Sequence, residues 1–374
     1  MDDLDKNPYL LDILSQPQAL RLALAKTDLL PLKVISQALD AGCFDRILLT
    51  GMGASYYGLY PAWLHLAAAG LPAIWVDTAE LVHHAPAFVT GRTLLWIASQ
   101  SGHSAEIVSL LRQIENRPLA GLLAMTNDLS SPLAQAVLQR EVGGLKTLLP
   151  LRAEPESTPS TRTYLHTLAI GQLAALCLAQ ADLAPHLAAL QVTADGIAAY
   201  LQDWRAQIEQ LANSIGDGTR SIVLVGRGFS LTSALSGALN LQEAAKLPAL
   251  GLQAAEFRHG PLEMAGPGIT VFIFAGDNGS SEPGSARSLN HKLWQELRSL
   301  GVNAWLVQPP SSSPSLLPIK EKGEGGILSI PNSIGIGLPL AEIIPIQLLC
   351  VHLSQRAGII PGTFRHIGKV TTEE

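Results

Sequence analysis

The chain has 374 residues, 47% of them hydrophobic and 15% charged, with a formal net charge of −6 at pH 7. That length exceeds one ordinary core and predicts two domains of roughly 150 to 180 residues. The acidic balance argues against nucleic acid or an anionic membrane as the main partner, while a local cradle can still be positive enough for a small anion.

In chain order, the opening Met1-Asp2-Asp3-Leu4-Asp5-Lys6-Asn7 has neither a basic n-region nor an apolar h-region. No secretory signal is visible, and a cytoplasmic location is expected. The run Ile47-Leu48-Leu49-Thr50 then enters Gly51-Met52-Gly53-Ala54-Ser55 and an Ala/Leu-rich helical pattern over residues 56–69. An apolar run, a tight turn and a helix predict a βα unit feeding a parallel sheet. Further strands are expected at residues 73–76, 94–98 and 119–126.

The strand at 94–98 passes directly into Ser99-Gln100-Ser101-Gly102-His103-Ser104-Ala105-Glu106. A helix N-terminus offers unpaired N–H groups and a partial positive charge, and serine hydroxyls beside it can converge on phosphate oxygens. The same residues also fit a plain serine-rich loop with a helix cap. The longest apolar tract, around residues 165–183, is broken by Gly171, Gln172 and Gln180, so it reads as a buried helix rather than a membrane span.

Residues 184–214 read as a helical spacer, after which the first unit recurs. Ile222-Val223-Leu224-Val225-Gly226-Arg227-Gly228-Phe229-Ser230 repeats the earlier run at an offset of about 175 residues, which two copies of one module explain. A helix over 231–247 and strands at 270–275 and 304–308 are expected to follow. In this copy the phosphate loop is replaced by Gly276-Asp277-Asn278-Gly279-Ser280, whose aspartate faces the place a phosphate would take, so only the first copy is expected to bind phosphate. Residues 308–326, rich in Pro, Ser, Gly and charge, read as an exposed loop.

Several chemistries are disfavoured. A dinucleotide fingerprint needs a third glycine where Tyr56 and Leu231 stand, and no G-x-S-x-G nucleophile elbow occurs. Cys43, Cys177 and Cys350 form no C-x-x-C pair and no H-x-x-x-H accompanies a carboxylate, so neither a disulfide framework nor a metal site is indicated. No cofactor is expected.

Proton chemistry has two candidate carriers, and the tail offers cations beside them. Glu243 can move a proton between adjacent sugar carbons if burial raises its pKa, although a solvated helix face would look the same. His259, in the Gly/Pro turn after Ala255-Glu256-Phe257-Arg258, is of the residue type suited to the proton exchange that ring opening requires, or is an ordinary turn histidine. The tail Thr363-Phe364-Arg365-His366-Ile367-Gly368-Lys369 is either a frayed basic end or a source of Arg365 and Lys369 for a carbonyl or oxyanion.

Five motifs occur in one order: G-x-G-A-S at 51–55, S-Q-S-G-x-S at 99–104, S-T-R at 160–162, A-x-E-F-R-H-G-P-L at 254–262 and R-x-x-x-K at 365–369. In this the chain resembles the double sugar-isomerase (SIS) domain family, including the isomerase half of glucosamine-6-phosphate synthase and SIS-type hexosamine-phosphate deaminases. The resemblance implies an α/β fold of two SIS domains, each an αβα sandwich with a doubly wound, flavodoxin-like parallel sheet. Its boundaries would be a helical lead-in at 1–30, a first domain at 31–185, the spacer at 186–214, a second domain at 215–360 and a closing tail at 361–374.

The resemblance further implies that Ala54, Ser55, Ser99, Gln100, Ser101 and Ser104 line the sugar-phosphate site with Ser160 nearby. Glu243 would be the proton carrier, His259 the ring-opening group delivered by the neighbouring subunit of a homodimer, and Arg365 with Lys369 the tail over the sugar. Three departures stand out: Ala54 where a threonine is common, Asn240 where the synthase has a lysine, and Thr158-Pro159 where Val-Ala usually precedes the serine. No glutaminase half precedes the SIS segment in this sequence, so the expected reaction is glucosamine 6-phosphate to fructose 6-phosphate and ammonia. An aldose-ketose phosphosugar isomerase, a deglycase of a phosphorylated fructosamine and a non-catalytic sugar-phosphate sensor remain as alternatives.

Overall fold

Long apolar runs in the sequence become the central strands of two parallel sheets, because a strand covered by helices on both faces must be apolar at every position. The computed structural model describes residues 4–115, 117–139, 144–276, 282–310 and 325–373. The acidic turn expected at 277–280 and most of the 308–326 loop lie outside the described residues. The elements run α1 (Pro8–Lys26), α2 (Leu32–Asp40), β1 (Arg46–Gly51), α3 (Gly53–Ala68), β2 (Ala73–Asp77), α4 (Thr78–His83), β3 (Thr93–Ala98), α5 (Ala105–Ile114), β4 (Gly121–Thr126), α6 (Pro132–Gln139), β5 (Leu145–Pro150) and α7 (Arg162–Leu178). They continue with α8 (Ala184–Tyr200), α9 (Trp204–Ile215), β6 (Ser221–Gly226), α10 (Leu231–Ala245), β7 (Ala249–Gln253), α11 (Ala254–Arg258), β8 (Ile269–Phe274), α12 (Ala286–Ser299), β9 (Asn303–Gln308), β10 (Gly326–Ser329) and α13 (Leu338–Arg356).

The first sheet has the order β2-β1-β3-β4-β5 and the second β7-β6-β8-β9-β10, so both follow the same winding with every pair parallel. This is the doubly wound α/β arrangement, with a switch point between β1 and β3 and another between β6 and β8. Successive residues of a strand point to opposite faces. Hence Ile47, Leu49, Leu94 and Trp96 meet Leu59 and Ile170 on one side of the first sheet, while Leu48, Leu95 and Ile97 meet Ile107, Leu110 and Leu133 on the other. In the second sheet Val223, Val225, Val271 and Ile273 bury against Phe257, Leu293 and Leu297. Each such side chain contributes about 1.5–3 kcal/mol when removed from water.

Two compact units result. The first comprises Ala19–Pro155, Arg162–Leu187 and Arg365–Glu374, and the second Met1–Gln18, Glu156–Thr161 and Ala188–Phe364. These do not follow the sequence-based segments. From Ala188 onward the expected spacer belongs to the second unit, since α8 buries Leu190, Ala194 and Ile197 and lets Gly196 approach the Asn332 carbonyl so closely that a Cβ would lie 2.0 Å from it. The lead-in divides at Gln18, and the last ten residues join the first unit.

The tract at 165–183 forms the buried helix α7, ending at Leu178. Among the described residues one segment, Gly335–Arg356, is long and apolar enough to cross a membrane, and 89% of it is buried inside the fold.

Candidate functional site

In the first unit, β1 and β3 pair with Gly51 opposite Ala98, so both strands end at one level and their turns lie side by side at the switch point. The repeated G-x-G now has a physical account. A Cβ on Gly51 would lie 2.7 Å from the Ala98 carbonyl oxygen, and one on Gly226 2.3 Å from that of Ser230, whereas Gly53 and Gly228 take φ of +50° and +57°. The first glycine admits the backbone and the second makes the left-handed turn into the helix.

The two turns are joined where the Gln100 N–H donates to Ser55 Oγ at 3.3 Å. Ser99 Oγ accepts from the Gly102 N–H at 3.1 Å and Ser101 Oγ from the His103 N–H at 3.2 Å. A hydroxyl that accepts from its own loop keeps its hydrogen for an anion. Ser104 stands at the N-cap of α5, and its side chain makes no capping hydrogen bond. Gly102 has φ +66°, and a Cβ there would lie 2.2 Å from Ser131 Oγ. Ala54 contributes a methyl at the start of α3 and no side-chain donor.

The tail joins this unit. The Thr371 carbonyl accepts the Ala105 N–H at 3.0 Å, in the first turn of α5, and Arg365 and Lys369 are exposed on the approach to it.

In the second unit Glu243 sits near the end of α10, half-buried, with its carboxyl raised to about 7 by burial and opposed by the Lys246 ammonium. Lys246 takes a left-handed C-cap conformation, donates to the Glu243 carbonyl oxygen, and lies 5.5 Å from the Phe364 ring centroid. One turn earlier the buried Asn240 accepts from the Tyr9 hydroxyl at 2.9 Å and donates to the Ser236 carbonyl at 2.8 Å. His259 is exposed at the end of the short helix α11, where its main-chain N–H donates to the Glu256 carbonyl at 2.8 Å. Arg258 beside it pairs with Glu296 at 2.7 Å.

Ser160 belongs to this second unit, not to the unit of the cradle serines. Its segment is stapled to both ends of the chain. Asp12 accepts from the Ser157 N–H and hydroxyl, each at 2.6 Å, Thr158 Oγ1 donates to the Gly362 carbonyl, and Asn7 Nδ2 donates to that of Pro361 at 3.1 Å.

The second copy of the G-x-G-x-S turn is used differently. Ser230, the counterpart of Ser55, donates to the buried Glu342 at 2.7 Å and Ser233 donates to the other oxygen at 2.6 Å. A hydroxyl committed to an internal carboxylate is not available to a phosphate, a reason the sequence reading did not contain. Neither Tyr9 nor Glu342 was a sequence candidate, since each meets its partner across more than 100 residues. Among the described residues no group of three or more His, Cys, Asp or Glu side chains is placed to hold a metal ion.

A family model for the SIS domain matches residues 218–300. The chain is 27% identical over 365 residues to a glutamine--fructose-6-phosphate aminotransferase [isomerizing] of Methanothermobacter thermautotrophicus, an alignment covering 97% of this chain and 57% of that relative. It thus spans about half the length of the curated relatives it matches. Among solved structures, tagatose-6-phosphate ketose/aldose isomerase of Escherichia coli superposes with a TM-score of 0.76 at 22% identity, covering 97% of each chain. Glucosamine-6-phosphate deaminase of Thermotoga maritima gives 0.69 at 18% identity, covering 97% of this chain and 99% of that one. The SIS model thus identifies a SIS domain on β6 through α12, and the near full-length alignment with the two like-wound parallel sheets makes the chain similar to SIS-domain proteins over almost all of its length.

Proposed function

We propose that the protein is an aminosugar-phosphate deaminase that converts glucosamine 6-phosphate to fructose 6-phosphate and ammonia. Glu243 carries this reading: a carboxyl held at about 7 is present near neutral pH both as the form that takes a proton and as the form that returns it. The first sheet, with the same strand order as the second and the 175-residue repeat, is read as a second SIS domain that holds the phosphate.

In this reading Ser55, Ser99, Gln100, Ser101 and Ser104 bind the phosphate, and the backbone at Ala54 bounds it. His259, supplied by the neighbouring subunit of a homodimer, exchanges a proton with the ring oxygen as the C1–O bond breaks to give the open-chain aldehyde. Glu243 takes the C2 proton while electrons shift toward the C1 oxygen, which Arg365 and Lys369 stabilise. Return of the proton to C1 leaves a C=N bond at C2; water adds there and ammonia departs. The aldehyde carbon is reduced as C2 is oxidised, so the step balances without an external redox partner.

The names of the relatives, which include a glucosamine-6-phosphate deaminase and an enzyme acting with fructose 6-phosphate, support the substrate class. The test incubates the purified protein with hexose and hexosamine 6-phosphates and a phosphorylated fructosamine, following ammonia and ketose together. Equal release of ammonia and ketose is expected. Interconversion of aldose and ketose phosphates alone would make it an isomerase, amino-acid release a deglycase, and binding without turnover a sensor.

A further inference from the structure

We propose that Tyr9 is a positioning residue for Glu243: its hydrogen bond to Asn240 fixes a neutral amide in the slot one helical turn before the carboxylate. The inference rests on reading Glu243 as the proton carrier.

The geometry leaves Asn240 one orientation. Tyr9 is 1% exposed and donates its hydroxyl to Asn240 Oδ1 at 2.9 Å, while Asn240, 3% exposed, donates Nδ2 to the Ser236 carbonyl at 2.8 Å. A flipped amide would set its oxygen against that carbonyl and lose the donor it needs. Residues three apart on a helix are neighbours, so the fixed amide borders Glu243. Because Oδ1 is held by the tyrosine and one N–H by the helix, the amide cannot swing freely to solvate a carboxylate.

The groups facing Glu243 come from three helices. On α10 itself Lys246 acts on the carboxyl, but its ammonium also donates to the Glu243 main-chain oxygen and lies over Phe364. From α13 the buried Cys350 thiol is pushed up by burial and by Glu243, so it stays neutral. From α1 the Tyr9 hydroxyl is raised well above its usual value by burial, with Cys350, Glu243, Asp12 and Glu156 adding to the shift, so it too stays neutral and remains a donor. A cation at position 240 would favour the ionised carboxylate and lower its midpoint. The tyrosine-held asparagine keeps it poised.

The test labels glutamate with 13C at Cδ, assigns the Glu243 carboxyl by its loss in Glu243→Gln, and follows its titration in the full-length wild type, Tyr9→Phe and Asn240→Lys. Asn240→Lys should lower the midpoint by about one pH unit or more. Tyr9→Phe keeps the ring and loses the hydroxyl, so the released amide can donate to the carboxylate. That variant should lower the midpoint by a few tenths of a unit or more and reduce kcat, with KM held within about twofold. If Asn240→Lys does not fold, Tyr9→Phe decides alone. A Tyr9→Phe midpoint equal to that of the wild type would make Tyr9 a packing residue and overturn the proposal. Absence of ammonia release by the wild type would sink the deaminase reading instead, and the carboxyl titration would still judge Tyr9.

Discussion

Asn240-Leu241-Gln242-Glu243 is a run that many amphipathic helices contain, and nothing in it distinguishes a catalytic carboxylate from a solvated one. What the structure adds is burial, which raises the Glu243 carboxyl to about 7 against the opposing Lys246 ammonium, with the neutral Tyr9 and Cys350 side chains nearby. Glu243→Gln should therefore leave sugar-phosphate affinity within a few-fold and lower turnover by about two to four orders of magnitude, read by steady-state kinetics beside calorimetric binding. Near-normal turnover would assign the base elsewhere. The raised carboxyl also sets the sign of the pH profile. Below about pH 7 the proton-accepting form is depleted, so kcat/KM should fall on the acid side of neutrality, well above where an ordinary glutamate would act. A profile flat down to pH 5 would contradict this.

At the scale of elements, the turn after β3 is held open by Gly102 and furnished by its serines. Ser101→Ala and Ser104→Ala each remove one donor to a charged ligand, worth about 1.5–3 kcal/mol, so affinity for a hexose 6-phosphate should fall at least about tenfold in each. Gly102→Ala should be worse than either, because the added Cβ meets Ser131 Oγ at 2.2 Å with φ at +66°. Calorimetric titration with glucose 6-phosphate compares the three, and unchanged affinity in both serine variants would reduce the cradle to a capped loop.

The tie between α10 and α13 makes a different prediction. Burial raises Glu342 from 4.5 to about 7, against the opposing hydrogen bonds of Ser233 and Ser230. A carboxyl whose pKa is higher folded than unfolded binds more protons when folded, so its contribution to stability declines as pH rises from about 4.5 through about 7. That decline is at most about 3 kcal/mol. Glu342→Gln should flatten this part of the pH dependence, as measured by denaturant melts at acid and alkaline pH; an unaltered slope would mean that Glu342 does not titrate there.

For the whole molecule, the proposed homodimer supplies His259 to the neighbouring subunit's Glu243. A mixture of His259→Ala and Glu243→Gln should then regain activity after subunit exchange, since one site of the mixed dimer would hold both intact groups. Exchange shown by mass, without recovery of activity, would return His259 to its own chain or to no catalytic role.

The sequence by itself determined what local physics decides: which runs are apolar enough for central strands, where Gly51, Gly53 and Gly102 must turn the chain, and that the module is repeated. Those features act within a few residues, so the α/β class, the parallel strands and the serine turn could all be read directly. Only the tertiary structure decided which distant segments share a unit. It put Ser160 with Asp12 and Gly362, drew α8 from Ala188 onward and α9 into the second unit, and joined the tail carbonyl of Thr371 to the first turn of α5. It also set Tyr9 on Asn240 across 231 residues and turned Ser230 onto Glu342. Burial and charge environment are properties of packed neighbours and not of the residue itself, which is why Glu243 could be named from the chain but its proton affinity could not.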